Sequence, residues 1–558
     1  ELMAIENGKV YMYATENVNA AISTGANLIR NTSPYDLNRA GWTVGIWDGG
    51  ALRATHQEFG GRVTVRDGAS MIDHATHVGG TIGAAGVVAA ALGMAPSVLI
   101  SSYDWTNDTA EMTLQAMSYA GEPGRIQVSN HSYGYLAGWS WSFSPPRWYG
   151  TWGYRESDSF GSYDDITREW DAVCYNAPYY LPFKAAGNDR NETAPSAGSS
   201  FQYWSNSAGT WVTKAYDPAT DPYSDGWDNG GFDTVGIVAT AKNVMTVGAV
   251  NDAVSGGLRS VAAATMAAFS CWGPTDDGRV KPDIMANGVG LYSCTAGSDA
   301  SYATYSGTSM STPNAAGSAV LLCEYYGKLF PGQYMRASTL KGLIIHTADD
   351  LDNPGPDYRT GWGLMNVKAA ADHIRAFYDL PSAKGIVEDR LDGSRPTATY
   401  RLNWDGTHPI RVTLCWTDPP AAALGGLDNP APRLVNDLDL RVVAPDGSTV
   451  YYPYVLDPAH PALAAGVGDN SRDNVEQVYI AAPPAAGVYT VQVSHKGLLT
   501  NGQQYYSLLM SGQGPGSAGA VSFARDLYNC SATIEITLSD ADLRNAGTSA
   551  VSVTTTGG

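Results

Sequence analysis

Between Trp42 and Ala371, short β-branched or apolar runs alternate with helix-like ones: WTVGIWD, HATHVGGTIGAAG, VLISSYDW, TAEMTLQAMSYA, IQVSNHSYG, DITREWDAVCYN, YLPFKAAGN and NVMTVGAV. Such alternation predicts an α/β domain with a mostly parallel sheet, whose ligand site lies at the carboxyl ends of the strands. The polar residues at those ends are Asp48, Asn130, Ser132 and Asn188. Two stretches break the pattern, 135–163 and 189–232, both polar, turn-rich and crowded with aromatics. They read as long surface insertions, whose aromatics either build a binding cleft or stack on one another as loop cores.

After VKAAADHIRAFYDL the segment PSAKG marks a boundary, and strands with turn signals at short intervals follow: TATYRLN, IRVTLCWT, DLDLRVVAPDGSTVYYPY, NVEQVYIA, GVYTVQVSH and QQYYSLLMSG. This predicts an antiparallel β-sandwich over 381–514. GQGPGSAGA reads as a linker, and 515–558 as a short β-rich segment, the opening of a further β module. The first domain is placed at 1–380, with an N-terminal extension.

Composition narrows the picture. With 558 residues the chain exceeds a single core, and 44% hydrophobic against 16% charged residues suits a globular protein rich in strands and loops. A net charge of −20 repels phosphate backbones and anionic lipid, so nucleic-acid and membrane partners are not expected. No apolar run approaches the length that spans a bilayer. The six cysteines form no CxxC pair, which argues against a zinc ribbon or a redox motif. Few lysines, many aromatics and low charge suggest a secreted protein, in which Cys271 and Cys294 are the expected disulfide pair; a monomer is expected. The start, ELMAIENGKVYMY, is not a signal peptide, so a signal and a propeptide are expected to be removed before Glu1.

Acyl transfer needs a nucleophile, a base, a carboxylate that orients the base, and donors for an oxyanion. Asp48 follows an apolar strand, His74 opens a glycine-rich helix, Asn188 ends a strand in AAGN, and Ser309 stands in YSGTSMSTPNAAG at the mouth of a helix. Each has an ordinary alternative. Asp48 before two glycines suits a turn, His74 with His77 suits a metal pair or a helix face, Asn188 suits a loop, and Ser309 suits a helix cap. HATHV lacks the glutamate of the zinc-peptidase HExxH pattern. All four in this order and context point to one site.

These stretches resemble the subtilisin-like serine proteases, the subtilases. VGIWDGGALRATHQEF resembles the family's aspartate segment, DHATHVGGTIGA its HGTHVAGT motif, FKAAGNDR its AAGN motif, and YSGTSMSTPNAAG its GTSMAxP motif. The resemblance spans about residues 40 to 375. It implies Asp48 as orienting acid, His74 as base with His77 structural, Ser309 as nucleophile and Asn188 as oxyanion donor. SNHSYG resembles the segment that pairs with extended substrate, so Ser132, Tyr133 and Gly134 would line the cleft. KPDIMANG resembles a segment packed beneath the site. Ala75, Gly49 and Ser311 depart from the family's usual Gly, Ser or Thr, and Ala, each a change of small for small. The insertion at 189–232 falls where the family's specificity wall lies, so substrate preference does not carry over. With the sandwich behind it, the architecture resembles the bacterial calcium-dependent alkaline subtilases that carry a C-terminal jelly roll, which implies a jelly-roll-like sandwich and a bacterial source.

The resemblance thus implies hydrolysis of protein or peptide substrates with no cofactor in the chemistry. Structural Ca²⁺ is expected at Asp418, Asn436, Asp437, Asp439, Asn474 and Glu476, because carboxylates at alternate strand positions share a face. Solvated edge charges explain the same pattern. Two rivals remain to be weighed: an inactive protease fold that binds or adheres, which a lost triad residue would favour, and an α/β-hydrolase, which requires a GxSxG elbow and the order Ser, acid, His. No triad residue is missing, and Ser309 comes last.

Overall fold

A computed structural model describes residues 2–6, 9–12, 17–38, 41–227, 230–383, 385–404, 406–512, 520–523 and 536–539. Seven strands, β1 (Thr43–Asp48), β2 (Val63–Val65), β3 (Leu99–Asp104), β4 (Val128–His131), β5 (Leu181–Ala185), β6 (Met245–Val250) and β7 (Ile284–Asn287), form one sheet in the order β7-β6-β5-β4-β1-β3-β2. All six pairings are parallel, as the alternating pattern predicts. The order reverses between β1 and β4, and at such a switch point the outgoing loops diverge and leave a crevice at the carboxyl ends.

Both faces of the sheet are covered. The helices are α1 (Asn17–Thr24), α2 (Asp73–Gly83), α3 (Asp108–Gln115), α4 (Asp165–Asn176), α5 (Thr308–Leu329), α6 (Ala337–His346) and α7 (Val367–Asp379). Alternation along β1 shows how the layers are divided. Val44 and Ile46 enter the large core built with α1, α2, α5 and α7, while Trp47 faces the opposite core with Tyr103, Trp170 and Tyr180. Helix α2 packs very closely on the hairpin Leu291–Cys294/Tyr302–Tyr305: a Cβ on Gly80 would sit 2.3 Å from Cys294 Sγ and Ser293 Oγ. The VGG of the histidine segment is therefore a packing requirement. Among the described helices none is long and apolar enough to cross a membrane.

The two insertions are not separate loops. Trp139–Ser140 and Arg147–Trp148 from the first, and Ser200–Ser205 and Thr210–Ala215 from the second, join in one four-stranded sheet. Trp139, Trp148, Phe201 and Tyr216 fill a small core of its own, so these aromatics hold the insertions together. Trp141, Trp204 and Trp227 stay exposed.

The C-terminal unit is a sandwich of two antiparallel sheets. Its strands are β8 (Ile386–Asp392), β9 (Thr397–Trp404), β10 (Ile410–Cys415), β11 (Leu438–Val443), β12 (Val450–Tyr451), β13 (Val475–Ile480), β14 (Gly487–His495) and β15 (Gln503–Ser511), in the orders β8-β15-β10-β13 and β9-β14-β11-β12. Strand β9 buries every second residue, and Tyr400, Leu402, Leu414, Trp416, Leu440 and Val493 meet in the core between the sheets. Of the segment 515–558, an antiparallel pair, 520–523 with 536–539, is described; the rest lies outside the described residues.

Helix α6 lies against β10 and β15, so the two units share a face. Buried polar groups cross it. Lys242 Nζ pairs with Asp418 and donates to the carbonyls of Pro419 (2.6 Å) and Arg433 (2.9 Å), with both charged side chains fully buried. Asp418 also accepts from the amides of Val435 (2.9 Å) and Asn436 (2.8 Å). Lys242→Met strands a buried carboxylate. It is expected to cost about 3–5 kcal/mol of stability, read as a drop in the midpoint of urea unfolding, whereas an unchanged midpoint would remove the pair from the account.

Candidate active site

Asp48 is the last residue of β1, only 1% exposed, at the crevice where the strand order reverses. The amide of Gly49 donates to its Oδ1 (2.7 Å). His74, the second residue of α2, brings Nδ1 to 2.8 Å from Oδ1 and 2.9 Å from Oδ2 of the same carboxylate. Because a carboxylate accepts only, Nδ1 carries the proton, and in the neutral ring Nε2 keeps its lone pair. Burial favours the neutral ring, but the hydrogen bond and charge of Asp48 outweigh it and hold His74 above the ordinary histidine range.

His77 plays no part in this pair. It is fully buried, meets the carbonyl of Leu291 through Nε2 (3.0 Å), stacks on Tyr305, and burial pushes it down to about 4. The metal-pair alternative for the two histidines therefore falls: one faces Asp48 and the other the hairpin behind the helix.

The opening of α5 explains the serine. No side chain caps this helix at Gly307, so the helix-cap alternative for Ser309 falls. The neighbouring hydroxyls are committed: Ser311 and Thr312 donate back to the carbonyl of Thr308 (3.0 and 2.7 Å), and Thr308 Oγ1 donates to Asn188 Oδ1 (3.0 Å). Pro313 has no N–H to offer the carbonyl four residues earlier, which is that of Ser309. That carbonyl instead accepts from Ser132 Oγ (2.9 Å), while Ser309 Oγ donates to the carbonyl of Ser132 (3.1 Å). The helix start is thus tied to the segment after β4. In this state the Ser309 hydroxyl is turned to Ser132, and a rotation about its Cα–Cβ bond is needed to present its proton to another acceptor.

Asn188 follows β5 and Gly187. Its Oδ1 accepts from the backbone amide of Thr308 (2.8 Å), which fixes the amide's orientation, since only the oxygen can accept. The NH₂ half is thereby left as a donor at the same cleft. Ser132 is buried, Tyr133 half-buried and Gly134 exposed, in an extended stretch beyond β4 that belongs to no strand. Tyr133 does more than line the cleft: its hydroxyl donates to Asp108 Oδ2 (2.6 Å), pinning the segment to α3. A cavity of about 210 Å³ lies between residues 133–136 and 184–189 and is bordered by Ser309. Lys184, in the middle of the apolar run LPFKAAG, lines it and escaped notice in the sequence, although a lysine inside a buried strand is itself a signal.

Other expected residues lie elsewhere. The six acidic and amide candidates for calcium fall into groups that already have partners. Asp418 is held by Lys242, and Asn474 donates to Trp416 and Asn243, both at the face between the units. Asn436 bridges Gln504 and Thr500. Asp437 and Asp439 share Lys496 (3.1 Å each), and Arg441 also reaches Asp439 (3.0 Å). Glu476 accepts from the amide of Leu440, and burial raises it strongly, toward the neutral acid. A lysine or arginine thus stands against Asp418, Asp437 and Asp439; Asn436, Asn474 and Glu476 are engaged by amide hydrogen bonds; and among the described residues no three of the four carboxylates bring their oxygens to one point. Among the described residues, three acidic side chains offer oxygens within 4.8 Å of one another at Glu156, Asp233 and Asp428, none of them in that set.

The disulfide expectation is also corrected. Cys271 and Cys294 are both free and buried. Cys271 sits under the loop of Asn188, its thiol meeting Asp189, whereas Cys294 donates to the carbonyl of Thr76 beneath α2. Cys174 and Cys415 are likewise free and buried, Cys323 is buried, and Cys530 lies outside the described residues.

Comparison with known proteins places this geometry in context. The family described as "Subtilase family" matches residues 53–363, more than half of the chain, taking in His74, Asn188 and Ser309. A serine protease/ABC transporter B family protein, tagA, of Dictyostelium discoideum is 27% identical over 275 residues, 44% of this chain and 15% of that protein. Serine protease AprX of Bacillus subtilis (strain 168) is 35% identical over 147 residues, covering 24% and 31%, and subtilisin DY of Bacillus licheniformis is 32% identical over 143 residues, covering 26% and 42%. The chain spans less than half the length of these relatives.

Proposed function

The chain belongs to the subtilase family, and from that premise we propose that it is a secreted serine endopeptidase that hydrolyses proteins through an acyl-enzyme on Ser309. The observation that carries the reading is the bidentate contact of His74 Nδ1 with the buried Asp48 carboxylate, in a chain whose Ser309 and Asn188 line one cavity. Substrate lies along Ser132–Gly134 in extended form, with its scissile carbonyl between Ser309 and the Asn188 amide. Ser309 Oγ leaves Ser132, gives its proton to His74 Nε2 and attacks the carbonyl carbon. Asp48 holds the imidazolium, and the Asn188 NH₂, with the backbone N–H at the start of α5, stabilises the oxyanion. His74 then protonates the leaving amine, and water hydrolyses the ester by the same steps in reverse. The chemistry draws on side chains and water alone. Secretion is supported by composition: few lysines, low charge and abundant aromatics.

The base must be neutral to act. Since Asp48 holds the His74 pKa above 6.5, kcat/KM on casein is expected to fall as pH drops through a value above 6.5, as the imidazole takes up its proton, and to level off on the alkaline side. A rate that stays flat from pH 8 down through about pH 5 would exclude His74 as the base.

A further inference from the structure

We propose that Lys184 sets the cleavage preference of this site: its ammonium receives the side-chain carboxylate of the residue on the acyl side of the scissile bond, so bonds that follow an acidic residue are favoured. The inference rests on the peptidase reading above and goes beyond it in naming the substrate class.

The geometry of the pocket comes first. It is bounded by the segment proposed to pair with substrate, 133–136, and by 184–189, which ends β5 and leads to the Asn188 amide. A side chain one bond from a carbonyl held between Ser309 and Asn188 has this cavity directly beside it. The pocket therefore reads the residue that donates the acyl group. Its volume, about 210 Å³, admits a side chain of moderate length.

The charges on its wall decide what that side chain is. Lys184 is 1% exposed and lines the pocket. It lies 4.7 Å from the centre of the Tyr133 ring and feels the charges of Asp108 and Asp48. Asp108, the nearest candidate partner, already accepts from Tyr133 and from the amide of Thr109. A buried ammonium carries a desolvation cost that an incoming carboxylate relieves. Burial in fact draws Lys184 down to about 7, and only the two aspartates hold it up.

The other charged group on the wall is Asp189, and one of its oxygens is already engaged. Its Oδ2 accepts from the thiol of Cys271 at 3.8 Å and lies 3.1 Å from where a Cβ on Gly187 would stand, beneath the loop. Burial raises Asp189 to about 6, which weakens its claim on a basic side chain. Glu192 and Asp225, which repel it from behind, are outside the pocket lining.

The test uses the full chain and fluorogenic peptides that differ only at the acyl-side residue, with Glu, Gln, Phe or Lys there. The expected result is a kcat/KM for Glu above that for the isosteric Gln by about tenfold or more, with Phe and Lys below Glu, and a Glu:Gln ratio near one in Lys184→Met. Because the ratio is taken within each preparation, a smaller folded fraction in the variant does not change it. A Glu:Gln ratio near one in the unaltered protein, a preference for Lys, or a ratio that survives Lys184→Met would overturn the inference while leaving the peptidase reading intact. Failure to cleave any peptide of the series would instead overturn the peptidase reading, and this inference with it.

Discussion

Replacing Ser309 with Ala is expected to lower kcat on casein or peptide substrates by about 10⁶-fold, the order of loss known from the subtilisin triad itself and carried over here. The reason lies in how the neighbouring hydroxyls are spent. Thr308 donates to Asn188, and Ser311 and Thr312 donate to the carbonyl of Thr308, so none is placed to take over. Stability should change little, because the Ser309 hydroxyl caps no helix end and gives up one bond, to the carbonyl of Ser132. A variant that folds normally yet keeps more than a few per cent of the activity would remove Ser309 from the reaction.

The second large effect is expected from Asp48→Asn. Gly49 N–H holds Oδ1 at 2.7 Å, and an asparagine amide must offer its oxygen to that donor. Its NH₂ then faces His74 Nδ1. The ring is forced to accept there and to carry its proton on Nε2, the atom that must take the proton of Ser309. A loss of about 10⁴ in kcat follows, the order seen when the acid of a serine-protease triad is made neutral without disturbing its geometry. KM should stay close to that of the unaltered chain, since no contact proposed for substrate is removed. A rise in KM with kcat retained would mean that Asp48 shapes the binding cleft and does not orient the base.

Much of this was legible in the chain, for identifiable reasons. The α/β pattern is strong because parallel strands buried on both faces read as continuous apolar runs, and β1, β5 and β6 are of that kind. The chemistry-bearing residues stand out because each directly follows or opens such an element: Asp48 ends β1, His74 opens α2, Asn188 trails β5, and Ser309 opens α5. What the sequence concealed depends on partners far away in the chain. The role of Pro313 is visible only once Ser132, 177 residues earlier, is seen to donate to the carbonyl that the proline leaves free. The carboxylates of the sandwich suggested calcium because their alternation is local, whereas the cations that neutralise them, Lys242 and Lys496, are remote. Likewise 135–163 and 189–232 looked like two loops because cross-strand pairing between insertions leaves no periodic mark in either.

The unusual feature of this molecule is the network behind its cleft. Lys184, Tyr133 and Asp108 link β5, the segment proposed to pair with substrate, and α3 in one chain of contacts. A change at any of the three should therefore reach the cleft.

The most direct test of the central claim is the site of covalent modification by a serine-directed aryl phosphonate, located by mass spectrometry of the digested protein. One adduct per chain, on Ser309, is expected. Its rate of formation should fall with pH as His74 takes up a proton and should collapse in Asp48→Asn. Modification spread over surface hydroxyls, a single adduct on Thr308 or Ser311, or no adduct on a folded chain would contradict the account.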